Sequence, residues 1–151
     1  MGAALAVEEL READVAEVAR LLGHLFEQEA DFVPDPALQE RALRRVLDDP
    51  ALGVVLVAHL EGRIVGTVML LRTVSTALGE EVCWLEDFVV EPKSRGAGIG
   101  HTLLDAAVAE ARRRKWVRIS LLTDEDNAAA LRLYAHYGFS RSRMVPLRCL
   151  V

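Results

Sequence analysis

The stretch VVEPKSRGAGIG, residues 89–100, decides the fold of this chain. An apolar run leads into it, and glycines at positions 96, 98 and 100 follow Arg95. Beyond the glycines, apolar residues recur at helical spacing from Ile99 to Ala111. The stretch therefore predicts a strand that ends in a glycine-rich turn, from which a helix begins.

Such a turn is suited to binding a dense anion. The first N–H groups of a helix have no partner within the helix, and the helix dipole favours negative charge there. Glycine lets an anion approach the backbone, and Arg95 adds a cation that can donate two parallel hydrogen bonds. A flexible turn whose glycines serve only tight packing explains the same residues, so the turn alone leaves both interpretations open.

The two commonest nucleotide-binding signatures do not fit this turn. The phosphate-binding loop of nucleoside triphosphatases ends in Gly-Lys before Ser or Thr, whereas here Gly100 is followed by His101. The dinucleotide-binding fingerprint needs a third glycine at the position that His101 occupies. Both classes of nucleotide-binding protein are therefore disfavoured.

The segments on either side predict the rest of the domain. Upstream come a short strand, two helices (the second starting at Pro36), a hairpin around the turn EGR, and the strand VCWLEDFVVEP, which is apolar on both alternation phases. Downstream come the strand VRISLLT, a helix that ends at Gly138, and the strand-like FSRSRMVPLRCLV. The predicted order is β-α-α-β-β-β-α-β-α-β, or the same with one further strand. It describes a single α/β domain over residues 1–151, with helices on both faces of a mixed central sheet.

Composition limits the classes of function. The 151 residues carry a net charge of -5 and are 52% hydrophobic, which is typical of a globular domain and disfavours nucleic acid as a partner. Two cysteines without paired spacing, and no clustered histidines, predict neither a disulfide framework nor a metal site and favour a reducing cytoplasm. No apolar run reaches membrane-spanning length, so we expect no membrane partner.

Three segments resemble one known family. The pattern V-x-P-x-x-R-G-x-G-I-G resembles the acyl-CoA-binding signature of the GNAT superfamily of N-acetyltransferases. NAAALRLYAHYGF resembles a second motif of that family, with Asn127, Ala130, Tyr134, Gly138 and Phe139 at the matching positions. WLEDFVV resembles a strand of the diamine and thialysine acetyltransferase branch, and the predicted order of elements matches the family over nearly the whole chain.

The resemblance implies acetyl-CoA as co-substrate, without a metal. Its pantetheine arm would pair like an added strand along Phe88, Val89 and Val90. Asn127 would meet the same arm, and Tyr134 would reach the sulfur. Without the resemblance, Asn127 is a good helix N-cap and Tyr134 a core tyrosine. The pyrophosphate would lie on the backbone N–H groups of Arg95, Gly96, Ala97, Gly98, Ile99, Gly100 and His101.

The implied chemistry is attack by an amine on a thioester. An alkylamine has a pKa of about 10.4 and is mostly protonated at neutral pH, and a carboxylate near the cleft can take its proton, directly or through water. Glu86 and Asp87 are the possible groups, and since side chains alternate along a regular strand, at most one should face the cleft. The resemblance selects Glu86, as base or as substrate-binding residue. It also implies Tyr134 as the acid that protonates the thiolate, and a backbone N–H near Phe88 or Val89 that binds the oxyanion.

The acceptor is predicted less closely than the donor. Carboxylates at Glu27, Glu29, Asp31 and Asp35 surround the segment FVP and would attract a small cationic amine, such as a polyamine or an amino-acid-like molecule; a polar surface loop explains them equally. We expect direct transfer to a primary amine through a ternary complex. The alternatives are a protein N-terminal or lysine acetyltransferase, and a non-catalytic acyl-CoA-binding sensor. The resemblance further implies a homodimer.

Overall fold

The computed structural model describes residues 4–28 and 33–151 and contains one five-stranded sheet. The strands lie side by side in chain order; the first four are antiparallel neighbours, and the fifth is parallel to the fourth. The strands are β1 (Leu5–Glu9), β2 (Gly53–Leu60), β3 (Arg63–Ser75), β4 (Glu80–Val90) and β5 (Ile119–Leu121). The helices are α1 (Val15–Gln28), α2 (Pro36–Asp48), α3 (Ile99–Arg113) and α4 (Ala128–His136).

Local sequence chemistry sets several of these boundaries. Asp35 Oδ1 accepts hydrogen bonds from the N–H groups of Ala37 and Leu38, so α2 begins at Pro36 as predicted. The predicted hairpin turn between β2 and β3 consists of Glu61 and Gly62, which have φ values of 52° and 76°. Positive φ at both positions is the geometry that matches the twist of two antiparallel strands.

The sheet separates two hydrophobic cores. On one face, α1 and α2 bury residues such as Val18 and Leu43 against Met69 of β3. On the other face, α3 and α4 bury residues such as Leu104 and Tyr134 against Leu85 of β4. The prediction of a mixed sheet with helices on both faces is therefore confirmed.

A β-bulge interrupts β4. Met69 of β3 lies opposite Glu86 and Thr67 lies opposite Val89, so two residues of β4 face the single residue between Thr67 and Met69. The first of the two, Asp87, has a φ of 51°, in the left-handed region that few non-glycine residues adopt. The strict alternation of side chains ends at this point.

The pairing between β4 and β5 is short. It joins Cys83, Trp84 and Leu85 to the three residues of β5 and goes no further. β4 continues to Val90, so residues 86–90 have no partner from β5 along this edge. We call this segment the open edge of β4.

The predicted closing strand is absent from the sheet. Residues 140–151, all described, form neither helix nor strand and are exposed throughout. A strand requires a partner edge, and no strand among residues 4–28 and 33–151 pairs with the segment. Its apolar side chains include Met144, Leu147 and Leu150, which are 87%, 92% and 100% exposed. Separately, no helix in the described ranges is long and apolar enough to cross a membrane.

Candidate active site

The glycine-rich turn presents bare backbone to solvent. Gly96 and Gly98 have φ values of 82° and 79°, and a Cβ added to either would meet no atom within 4 Å. Gly98 is the N-cap of α3, and no side chain accepts a hydrogen bond from the first turn of that helix. The first N–H groups of α3 are therefore available to a ligand, as the sequence predicts.

Gly100 and Ile99 have a different role from the other residues of the turn. A Cβ at Gly100 would lie 3.3 Å from Cδ2 of Leu133 and 3.5 Å from Cζ of Phe88. Ile99 is 2% exposed and belongs to the core between α3 and the sheet. Their side-chain positions therefore serve packing.

Arg95 is tied to the end of β4. Its Nε donates a hydrogen bond of 3.2 Å to the carbonyl oxygen of Val90, while the residue as a whole is exposed. Ala97 and His101, also exposed, complete the turn, and the His101 ring lies 5.3 Å from that of His136. The turn is thus held against β4 with its cation at the surface.

Tyr134 of α4 is buried against the open edge of β4. It is 7% exposed, and its ring lies 6.0 Å from that of Phe88 and 5.7 Å from that of Phe139. Burial raises the pKa of Tyr134 to about 12, because the ionised phenol would lose its hydration. No group in the described ranges hydrogen-bonds its hydroxyl. A neutral phenol with an uncommitted hydroxyl is able to donate a proton.

Asn127 is the N-cap of α4. Its Oδ1 accepts a hydrogen bond of 3.2 Å from the N–H of Ala130, so the capping interpretation of this residue is confirmed. The residue is exposed, and a contact with a pantetheine arm stays a prediction.

Tyr137, which the sequence did not single out for the site, fastens α4 to α3. Its hydroxyl lies 2.8 Å from both the His101 carbonyl oxygen and Oδ1 of Asp105. Burial and the hydrogen bond to Asp105 raise the pKa of Tyr137 to about 12. Its partners lie on α3, so the spacing of residues along α4 could not predict this contact.

A cavity of about 230 Å³ lies on the opposite face of the sheet, between α1, α2 and the bulge. Apolar side chains of the helices, among them Leu22 and Leu43, form most of its wall with Met69 of β3. Its polar lining residues are Asp35, Gln39 and Asp87.

Glu86 and Asp87 of β4 lie on the same side of the sheet. Glu86 is exposed and pairs opposite Met69, and cross-strand partners share a face. Asp87 lines the cavity together with Met69. The described residues that line the cavity include Asp87 and not Glu86, which agrees with the expectation that at most one of the two faces the cleft. The one that does is Asp87, whereas the resemblance selected Glu86.

The carboxylates predicted around the α1–α2 loop are only partly accounted for. Glu27 is exposed in the last turn of α1 and is not among the described residues that line the cavity. Glu29 and Asp31 lie outside the described residues. Asp35 lines the cavity but also caps α2. Across residues 4–28 and 33–151, no group of three metal-binding side chains is close enough to hold an ion.

Comparison with known proteins identifies the family. Residues 16–139 match the family model for the acetyltransferase (GNAT) family. The chain belongs to the GNAT family. This GNAT domain is 44% identical over 52 residues to a mycothiol acetyltransferase of Thermobispora bispora, a match that covers 34% of the chain. The chain spans only 18% of that relative's length.

Solved structures share the fold of this GNAT domain. A possible acetyltransferase from Clostridium difficile 630 superposes with a TM-score of 0.83 at 17% identity, over 97% of both chains. A predicted acetyltransferase from Clostridium acetobutylicum, solved with acetyl-CoA, superposes with a TM-score of 0.78 at 20% identity, over 96% of both chains.

Proposed function

We propose that this GNAT domain transfers the acetyl group of acetyl-CoA to a primary amine by direct attack in a ternary complex. The observation that carries the proposal is the position of Asp87. It belongs to the open edge of β4 and also lines the cavity between α1 and α2. The strand edge that suits the donor and the cavity that suits the acceptor therefore meet at one residue.

The residues of the turn and the open edge fit acetyl-CoA, which supplies the acetyl group as a thioester. The uncapped N-terminus of α3 and the open space around Gly96 and Gly98 suit a pyrophosphate. The open edge offers backbone groups of Phe88 and Val89 to an extended amide-containing arm. Arg95 stands beside both, held by Val90.

Two carboxylates serve the amine in this proposal. Asp87 binds the ammonium form in the cavity, and Glu86 takes its proton, directly or through water. A neutral amine is then free to attack the thioester carbon, with the backbone N–H of Phe88 or Val89 donating to the carbonyl oxygen. The positions of Glu86 and Asp87 on one side of the sheet support this division of labour.

Tyr134 completes the reaction as general acid. As the carbon–sulfur bond breaks, its hydroxyl gives a proton to the departing sulfur, and the phenolate regains a proton, through water, from the nitrogen that becomes the amide. Burial raises the pKa of Tyr134 to about 12, so the phenol is protonated at neutral pH and has a proton to give. Neither cysteine is part of the proposed route, which has no covalent enzyme intermediate.

We also propose a homodimer in a reducing cytoplasm. The exposed apolar side chains of residues 140–151 support the dimer, because a second copy would cover them. Both cysteines, Cys83 and Cys149, are free thiols, which suits a reducing compartment.

The test is release of free thiol from acetyl-CoA in the presence of a panel of amines: alkylamines, polyamines, amino-acid amides, aminoglycosides and peptides. Thiol release that depends on one class of amine, with matching acetylated product by mass spectrometry, is the expected result. Acetyl-CoA binding without turnover of any amine would instead favour the acyl-CoA sensor. Turnover restricted to peptides would favour the protein acetyltransferase.

A further inference from the structure

Gln39 is a buried amide without a partner in the cavity wall. The residue is 8% exposed and lines the cavity. Neither its Oε1 nor its Nε2 hydrogen-bonds any group in the described part of the chain. Buried side-chain polar atoms are nearly always hydrogen-bonded, so an amide with both ends unpaired needs an explanation.

The packing of the fold does not explain why an amide stands at position 39. Gln39 lies on the buried stripe of α2 with Leu43 and Val46, where an apolar residue would pack without loss of hydrogen bonds. The neighbouring Asp35 uses Oδ1 to cap the helix. The amide therefore has no structural role that an apolar side chain of its size would not fill.

We propose that Gln39 binds the acceptor, and that the acceptor is an amine with an apolar body and a carboxamide-like group. This inference rests on the proposed function. A carboxamide offers one accepting oxygen and one donating NH₂ side by side, so its best complement is a group with the same pair in the reverse order. Another primary carboxamide has this arrangement and forms two parallel hydrogen bonds with it.

The rest of the cavity agrees with this class of acceptor. Its wall is mainly apolar, as at Leu22 and Met69, which suits a hydrocarbon body. Asp87 in the same wall suits the ammonium group. A polyamine fits less well, because its nitrogens are donors when protonated and would leave Nε2 of Gln39 unpaired.

The experiment compares two acceptors that differ only in the amide. L-leucinamide and 3-methylbutylamine share the amine and the branched apolar chain, and the second lacks the carboxamide. We measure kcat/KM for each with the wild-type protein and with Gln39→Met, which keeps the length of the side chain. For each protein we divide kcat/KM for leucinamide by kcat/KM for 3-methylbutylamine. Comparing this ratio between the two proteins cancels the difference in intrinsic reactivity of the two amines.

We expect the leucinamide-to-methylbutylamine ratio to fall by about tenfold or more in Gln39→Met, the effect of losing one or two hydrogen bonds. Leu38→Met is the matched control, since Leu38 lines the same cavity without an amide and its variant should keep the ratio. An unchanged ratio in Gln39→Met would overturn the proposal and leave water as the partner of the amide.

A binding measurement separates this inference from the proposed function. We expect leucinamide to raise the melting temperature of the wild-type protein and not that of Gln39→Met. If no amine is acetylated but this difference is seen, the proposed function fails and the role of Gln39 stands. If 3-methylbutylamine is acetylated and leucinamide has no advantage by either measurement, the function stands and the role of Gln39 fails.

Discussion

The ring of Phe88 lies 6.0 Å from the ring of Tyr134, so the bulged strand and helix α4 meet at one aromatic contact. Phe88 is the second residue of the bulge, and its side chain faces α3 and α4 while Asp87 lines the cavity on the opposite face. The contact positions the phenol of Tyr134 beside the strand edge where the thioester is proposed to lie.

Tyr134→Phe is expected to lower kcat by about a hundredfold or more, because the departing sulfur loses its proton donor. The KM for acetyl-CoA should change little, since the ring and its contacts with Phe88 and Phe139 remain. Steady-state kinetics at saturating acetyl-CoA measure this. Burial raises the pKa of Tyr134 to about 12, so the wild-type rate should show no loss from phenol ionisation up to about pH 10.

Tyr137→Phe is the control for that variant. It removes the hydroxyl of the C-cap residue of α4, which bonds His101 and Asp105 away from the reacting groups. The expected result is a loss of about 1 kcal/mol in the free energy of unfolding, with kcat nearly unchanged. Full turnover in Tyr134→Phe, or an equal fall of kcat in both variants, would contradict the acid role.

Gly98→Ala should weaken binding of acetyl-CoA. The N-cap residue has a φ of 79°, which costs an alanine about 1–2 kcal/mol, and relief of that strain would turn the first N–H groups of α3 away from the ligand. A severalfold increase in the acetyl-CoA dissociation constant by calorimetry, together with a lower melting temperature, is expected.

Gly23→Ala provides a matched glycine control. Gly23 lies within α1, and an added Cβ would meet nothing within 4 Å. Alanine there should stabilise the protein by about 0.5–1 kcal/mol and leave acetyl-CoA binding unaltered. Unaltered acetyl-CoA binding in Gly98→Ala would argue against the turn as the pyrophosphate site.

Asp87→Asn and Glu86→Gln should have separable effects. Asparagine tolerates the left-handed backbone of position 87, so the bulge should persist while the negative charge is lost. For Asp87→Asn we expect a KM for the amine at least about tenfold higher than that of the wild type, with an unchanged KM for acetyl-CoA.

Glu86→Gln should instead lower kcat most at low pH, where the amine is most fully protonated. Identical pH–rate profiles for Glu86→Gln and the wild type would remove the base role from Glu86.

The dimer proposal predicts a monomer after charge is introduced in the C-terminal segment. Leu147→Asp combined with Leu150→Asp alters side chains that are 92% and 100% exposed, so folding of the single chain should be unaffected. Light scattering should give twice the chain mass for the wild type and one chain mass for the double variant. Ser140→Asp, exposed in the same segment, should remain dimeric. A wild-type protein of one chain mass would refute the dimer.

The two thiols should differ sharply in reactivity. Cys149 is exposed, whereas Cys83 is fully buried in the core, and burial raises the pKa of Cys83 to about 11. At pH 8 a thiol reagent should modify Cys149 quickly and Cys83 only in denaturant.

The raised pKa of Cys83 also predicts a pH dependence of stability. Its contribution to the free energy of unfolding should be fully present below about pH 9 and should be lost as the pH rises through 11, because the unfolded chain then ionises the thiol more readily than the folded one. Cys83→Ala should show a smaller decline in stability between about pH 9 and 10, below the range in which Tyr134 and Tyr137, whose pKa values are raised to about 12, contribute.

Several features were predictable because they depend on neighbouring residues. The cap at Asp35, the start of α2 at Pro36 and the glycine-rich entrance to α3 each follow from local backbone chemistry. The buried stripe of α2 also contained a usable signal, since Gln39 stands at helical spacing from Leu43 and Val46. That spacing places Gln39 toward the core, but it does not say that its amide lacks a partner.

The features that were missed depend on residues distant in the chain. Closing the sheet with residues 140–151 requires a strand edge that pairs with them, and the described part of the chain has none. The contact of Tyr137 with Asp105 requires α4 to lie across α3. Strand-like composition and helical spacing are properties of single segments and contain no information about such partners.

The sequence by itself determined the proposed donor side of this protein: a strand, a glycine-rich turn and an uncapped helix, whose conformations depend on glycine φ angles and helix-end hydrogen bonding within a few residues. The tertiary structure alone decided the proposed acceptor side. The bulge at Asp87 arises from register with β3, and the unpaired amide of Gln39 from the packing of α2 over the sheet. Register and packing join segments far apart in the chain, so no local pattern could specify them.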